Sequence, residues 1–191
     1  MSLAHWWPLT EDLRDYVCGT YLTNNGATTA SGKMGPCYYF NGSTNLTGTF
    51  DYNQSGLGNY PTELSVSLWV KIDSSWNAWG QIFTIGKEGT SWNDIRIGLD
   101  INNEKKIYFS ISDSSGATGG SGPNYTLTPG QWYHIVGIYK NNNIEMYVDG
   151  TKISFYQTSI VPNLQTASIV AIGGNSSEKQ PCYISDVRVY N

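Results

Sequence analysis

An all-β fold, an antiparallel two-sheet sandwich, is what this sequence predicts, and three observations predict it. Short runs of alternating apolar residues, each closed by Gly, Asn, Asp or Pro, follow one another from end to end of the chain. With 14% charged residues, 14% aromatic residues and 21 glycines among 191, the composition suits short strands and many turns better than helices. The runs recur at near-regular spacing with no helical period, which is the sandwich pattern. The length fits one such domain and is enough to bury a core.

The elements follow in order. Strand-like pattern begins at His5 and runs to Leu9, so Met1-Ser2-Leu3 reads as a leftover of cloning and the single domain as residues 4–191. Cys37 to Asn41 is a second strand. In Leu64 to Ile72 the aliphatic residues Leu64, Val66, Leu68, Val70 and Ile72 alternate with Ser65, Ser67, Trp69 and Lys71, which predicts a long half-buried strand. Gly80 to Gly86 follows, then Ile95-to-Ile101 and Ile107-to-Ile111 as a hairpin around Asn102-Asn103-Glu104-Lys105. Gln131 to Lys140 turns through Asn141-Asn142-Asn143 into a partner that buries Ile144, Met146 and Val148 and ends at Asp149-Gly150. Ala167 to Gly173 and Cys182 to Tyr190 complete the set, while Gly56 to Pro61 and Ser112 to Pro123 read as surface loops. Val66, Leu68, Ile97, Leu99, Phe109, Val136 and Met146 are the expected core.

Composition also removes partners. The net charge of −4 arises from scattered acids and the cations are equally scattered, which argues against nucleic acid. No apolar run approaches the roughly 20 residues that insertion of a helix into a bilayer requires. Cys18, Cys37 and Cys182 are odd in number and widely spaced, so packing residues are expected rather than a disulfide framework or a zinc site.

Taken together, His5-Trp6-Trp7-Pro8-Leu9, Gly32-Lys33-Met34-Gly35, Phe40-Asn41-Gly42, Leu64 to Val70, Gly130-Gln131-Trp132-Tyr133-His134, Tyr147-Val148-Asp149-Gly150, Ile172-Gly173-Gly174 and Ile184 to Tyr190 resemble the laminin G-like jelly rolls of the concanavalin A-like lectin and glucanase superfamily. The resemblance covers nearly the whole chain and implies a jelly-roll sandwich. It is evidence for fold more than function, because function resides in sites placed on folds. Trp69 and Trp132 are expected in the core or packed on a sheet, and His134 is expected as a hydrogen-bonded sheet residue.

Because the superfamily includes glucan hydrolases, catalysis has to be tested on residues. Retaining glycosidases need two carboxyl groups about 5 Å apart across a cleft. Asp100, Glu145 and Asp186 each stand alone in a strand; Asp100 and Glu145 could in principle meet across the non-core sheet face, but an ion pair with Arg96 or Lys71 is the expected use. Only two histidines are present and no nucleophile motif occurs, so no enzyme activity is expected.

Recognition has better support. Trp76, Asn77 and Trp79 lie in one loop and Trp92, Asn93 and Asp94 in the next, combining rings for stacking on sugar C–H faces with amides and carboxylates for hydroxyls. As resemblance implies, Asp15 and Asp186 are candidate ligands of a structural calcium ion. The expected partner is a glycan or a cell-surface protein. The expected role is a carbohydrate-recognition module of a larger extracellular, cell-surface or phage (virion) structural protein, with a protein-interaction domain lacking a sugar site as the alternative.

Overall fold

The computed structural model describes residues 1–87, 95–100, 105–113, 115–121, 125–165, 167–175 and 178–191, with the backbone alone at 99, 100 and 121. Among these residues the strands are β1 (Leu3–Trp7), β2 (Thr23–Asn25), β3 (Thr28–Ser31), β4 (Pro36–Asn41), β5 (Asn45–Thr49), β6 (Glu63–Ile72), β7 (Gly80–Gly86), β8 (Ile95–Asp100), β9 (Lys106–Ser112), β10 (Thr118–Ser121), β11 (Trp132–Lys140), β12 (Asn143–Val148), β13 (Thr151–Gln157), β14 (Ile169–Ile172) and β15 (Pro181–Tyr190). The eight-stranded sheet runs β13-β12-β11-β6-β15-β4-β3, with β1 added along the far half of β15. The seven-stranded sheet runs β10-β9-β8-β7-β14-β5-β2. Every pairing is antiparallel, and the expected sandwich and both expected hairpins are present.

Cross-strand partners share a sheet face, so register identifies what points inward. On the seven-stranded sheet the inward rows are Phe83, Ile97 and Phe109, and Ile85, Ile95 and Ile111, all fully buried. On the eight-stranded sheet Leu64, Val66, Leu68 and Val70 face them from β6, with Tyr133, Ile135 and Tyr139 from β11 and Ile144 and Met146 from β12. Each such aliphatic or aromatic side chain contributes roughly 1.5–3 kcal/mol by leaving water.

Four expectations need correction. β1 starts at Leu3 instead of His5, pairing Leu3 with Tyr190, while Ser2 exchanges backbone hydrogen bonds with Asn191. β10 crosses the stretch read as a Gly/Ser loop, β2, β3 and β5 lacked the apolar alternation that would have marked them, and β13, with only Ile153 and Phe155 alternating, was not foreseen. Val136 is only half-buried and points outward. In β11 both phases are apolar, and the inward phase includes Gly137, where a Cβ would run into the Phe109 ring of the opposite sheet. Of the other expected core residues, Val66, Leu68, Ile97, Phe109 and Met146 are buried, and Leu99 lies outside the described side chains.

Candidate functional site

The two tryptophans of the β6–β7 loop have opposite environments. Asp73 Oδ1 accepts from the Ser75 backbone N–H (2.9 Å) and hydroxyl (2.7 Å), and Asp73 carbonyl accepts from Trp76 N (3.2 Å). This turn folds Trp76 back against Gly80, where its indole is 1% exposed and donates to the Ala78 carbonyl at 2.8 Å. The expectation of a solvent-facing Trp76 is therefore corrected: it caps the end of the core. Trp79 is 42% exposed and meets the buried Tyr108 ring edge-on at 5.3 Å, and Asn77 is also exposed. Trp92, Asn93 and Asp94 lie outside the described residues.

Sequence reasoning passed over a larger aromatic surface. Trp132 on β11, Lys71 on β6, Tyr183 on β15 and Tyr39 on β4 are successive cross-strand partners on the outward face of the eight-stranded sheet. Tyr39 and Tyr183 ring centroids are 4.7 Å apart, and those of Trp132 and Tyr183 6.5 Å. Lys71 Nζ lies 3.9 Å from the Tyr183 centroid and 5.5 Å from that of Trp132. The next row pairs His134 with Trp69, their rings 5.2 Å apart, and Lys33 Nζ is 5.9 Å from the Trp69 ring. Burial holds the His134 imidazole below its ordinary pKa although Asp186 and Asp149 pull the other way. These side chains are half-buried, so Trp69 and Trp132 are sheet-packing residues of the wet face. The signal was in the alternation itself, which sets both opposite in phase to the buried residues beside them.

Asp15 and Asp186 are bonded to opposite ends of Trp6. Asp15 is fully buried; its Oδ1 accepts from the backbone N–H of Trp6 (3.1 Å) and Val17 (2.9 Å), and its Oδ2 lies 2.6 Å from His5 Nδ1. Burial alone would raise its carboxyl pKa, but the His5 and backbone hydrogen bonds outweigh burial and hold it low. Asp186 Oδ1 accepts from the Trp6 indole N–H (2.8 Å) and from Arg188 Nε (2.9 Å). A calcium ion asks for about six to eight oxygens. Here each carboxylate is engaged by N–H donors that an ion would have to displace, and the pair does not fit the expected calcium site. His5, Asp15 and Cys18 do gather within 4.8 Å, but the short His5–Asp15 contact leaves no room for an ion between them. Burial first, then the Asp15 charge, raises the Cys18 thiol to about 11, so it is protonated at neutral pH.

Asp100 and Glu145 share no sheet face, because β8 and β12 belong to different sheets. Glu145 is instead paired with Lys152 at 2.7 Å and accepts from the Tyr147 hydroxyl, which together hold its carboxyl below the usual range.

Comparison with solved structures gives the same sandwich. Domain 4 of AbnA, a GH43 extracellular arabinanase from Geobacillus stearothermophilus solved in complex with arabinotriose, is 19% identical with a TM-score of 0.75; the match covers 100% of this chain and 92% of that one. The binding domain of Paraclostridial Mosquitocidal Protein 1 is 13% identical (TM-score 0.76), and that of botulinum neurotoxin DC in complex with SialylT is 14% identical (TM-score 0.75). Both matches cover 99% of this chain, which spans about half (48%) of each toxin domain. At these identities the likeness is one of fold. No curated protein sequence matches the chain. The family model described as the concanavalin A-like lectin/glucanases superfamily matches residues 38–191, and the chain belongs to that superfamily.

Proposed function

We propose that the domain is a non-catalytic glycan-recognition module and that the outward face of the eight-stranded sheet is its contact surface. The observation that carries this is the row Trp132, Lys71, Tyr183 and Tyr39, which crosses four adjacent strands on the solvent side. Three strand spacings make the row ~14 Å long, the reach of a short oligosaccharide. Its rings suit the C–H faces of sugars, and the Lys71 ammonium, held between two rings, suits their oxygens. An arabinanase domain solved with arabinotriose and a toxin binding domain solved with SialylT share the fold, which makes a sugar the first ligand to try. A non-catalytic role is supported by the acids: Asp15 is buried on His5, Asp186 pairs with Arg188 and Glu145 with Lys152. Such a module belongs in a larger extracellular, cell-surface or virion protein.

A glycan array followed by calorimetry tests the reading. Trp132→Ala should weaken binding of the best glycan severalfold to tenfold, since one stacked ring contributes on the order of 1 kcal/mol beyond its buried area. The melting temperature should stay close to that of the parent. Affinity unchanged by both Trp132→Ala and Tyr183→Ala would remove this face as the site. The second reading, a protein-interaction domain, is favoured by the edge strand β13, where Phe155 and Tyr156 are 59% and 45% exposed beside a backbone edge that no described strand pairs. It takes over if the array shows no glycan bound and a Phe155→Ser variant loses a protein partner.

A further inference from the structure

Asp186, set aside as a calcium ligand, stands at an irregular point of its strand. The pairing of β15 with β6 slips between Ser185 and Arg188, and Asp186 adopts a φ of 51°, a left-handed conformation that a non-glycine residue seldom takes. Such strain persists where the surroundings enforce it and is frequent at binding sites. Here the Asp186 N–H is anchored to the Pro8 carbonyl at 2.9 Å. The bulge shifts the phase of the strand: alternation continued from Cys182 and Ile184 would have turned Asp186 and Arg188 inward, and instead they sit side by side on the outward face while Val187 and Val189 are buried.

Around them lies a cleft of about 190 Å³, lined among others by Trp6, Pro8, Met34, Pro36, Asp186 and Arg188. Its components are complementary to one kind of ligand. The Arg188 guanidinium lies 5.2 Å from the Trp6 ring centroid and is 38% exposed, presenting planar donors. Asp186 Oδ1 is taken by Trp6 and Arg188, while no described residue donates to Oδ2, and the side chain retains 18% exposure. Met34, 65% exposed, and two prolines supply an apolar wall. An acceptor oxygen and a guanidinium set next to each other match two neighbouring hydroxyls, one donating to the carboxylate and the other accepting from the arginine. The apolar wall matches the C–H face that joins them. The cleft is of a size for one ring.

We infer that this cleft is a distinct binding site for a single neutral sugar ring bearing vicinal hydroxyls, separate from the Trp132–Tyr183 row. It stands whether or not that row binds an oligosaccharide, because it uses other residues.

The test is a titration of the ¹⁵N-labelled domain with the methyl glycosides of galactose, mannose and N-acetylglucosamine, one at a time. The expected result is a saturable shift of the Trp6 indole N–H and Arg188 Nε–H resonances with at least one glycoside. Arg188→Lys keeps the charge and loses the planar fork, so it should weaken that response about tenfold or more. Because Arg188 also ties β15 to Trp6, Met34→Ala serves as the second variant; it leaves every hydrogen bond in place and should weaken the response severalfold. Shifts confined to Trp132 and its neighbours would overturn the cleft while leaving the row standing. So would a Trp6 response that neither variant alters, and so would the absence of any saturable shift at Trp6.

Discussion

The sandwich has two outward faces, and they differ sharply. On the eight-stranded sheet many outward positions are large and half-exposed, among them Trp132, Tyr183, Tyr39, Trp69 and Val136. On the seven-stranded sheet the outward row reads Thr84, Arg96 and Ser110 in register, with Ala171 on the other side of Thr84, and all four are buried. The segment at Glu178 packs against the Gly80 end of β7, its carbonyl accepting from Gln81 N at 2.9 Å. Small polar side chains therefore do not mark the wet side of this protein, nor large aromatic ones the dry side.

Introducing a charge on each face tests the contrast most severely. Thr84→Lys places an ammonium where water does not reach and should cost at least about 3 kcal/mol, whereas Val136→Lys should change stability by less than about 1 kcal/mol. Urea unfolding measures both, and equal losses would erase the distinction. A second contrast lies within one loop. Trp76→Ala empties a filled cap and should cost about 3–5 kcal/mol, while Trp79→Ala should cost under about 1 kcal/mol. If Trp79 proves the costlier residue, the cap has been assigned to the wrong ring.

Acidification separates the buried carboxylate from the exposed ones. The folded-state pKa of Asp15 is depressed below 3.8, so its contribution is complete above that value and is lost as pH falls through the lower folded one. His134 is also depressed, so its contribution is lost as pH falls from its ordinary 6.5 through the lower folded value. Melting temperature should decline gently below pH 6.5 and steeply only near or below pH 3.8, with the steep limb flattened in Asp15→Asn and the gentle one in His134→Gln. The smallest expected effect is that of divalent ions: stripping them with chelator should leave the melting curve where it was. A drop that calcium restores and Asp186→Ala abolishes would reinstate the calcium site.

How much was legible beforehand follows from the same contrast. Leu64 to Ile72 announced both its strand and its inward face, because its outward phase, Ser65, Ser67, Trp69 and Lys71, is polar or half-buried while its inward phase is aliphatic throughout. β7 is buried on both faces, so Gly80 to Gly86 marked a strand without marking a direction. β2, β3 and β10 consist of Thr, Asn, Ser, Gly and Ala at or near sheet edges, where the ladder is made by backbone and the side chains leave no pattern. The site was less legible than the fold. That Trp76 and Trp79 share a loop says nothing of which one the Asp73 turn rotates inward. The Asp186–Arg188 pairing depends on a bulge, which no alternation rule foretells.

One feature of the termini bears on how the molecule meets force. Ser2 and Asn191 are joined by two backbone hydrogen bonds, and β1 runs back along β15 with Leu3 against Tyr190, His5 against Val189 and Trp6 against Arg188. Tension applied between the two ends is thus directed across this ladder rather than along it. It unzips the strands one pair at a time instead of shearing them together. The tear first meets the Ser2–Asn191 side-chain hydrogen bond, then His5 held on Asp15, and then Trp6, held through its indole to Asp186 and lying beside Arg188.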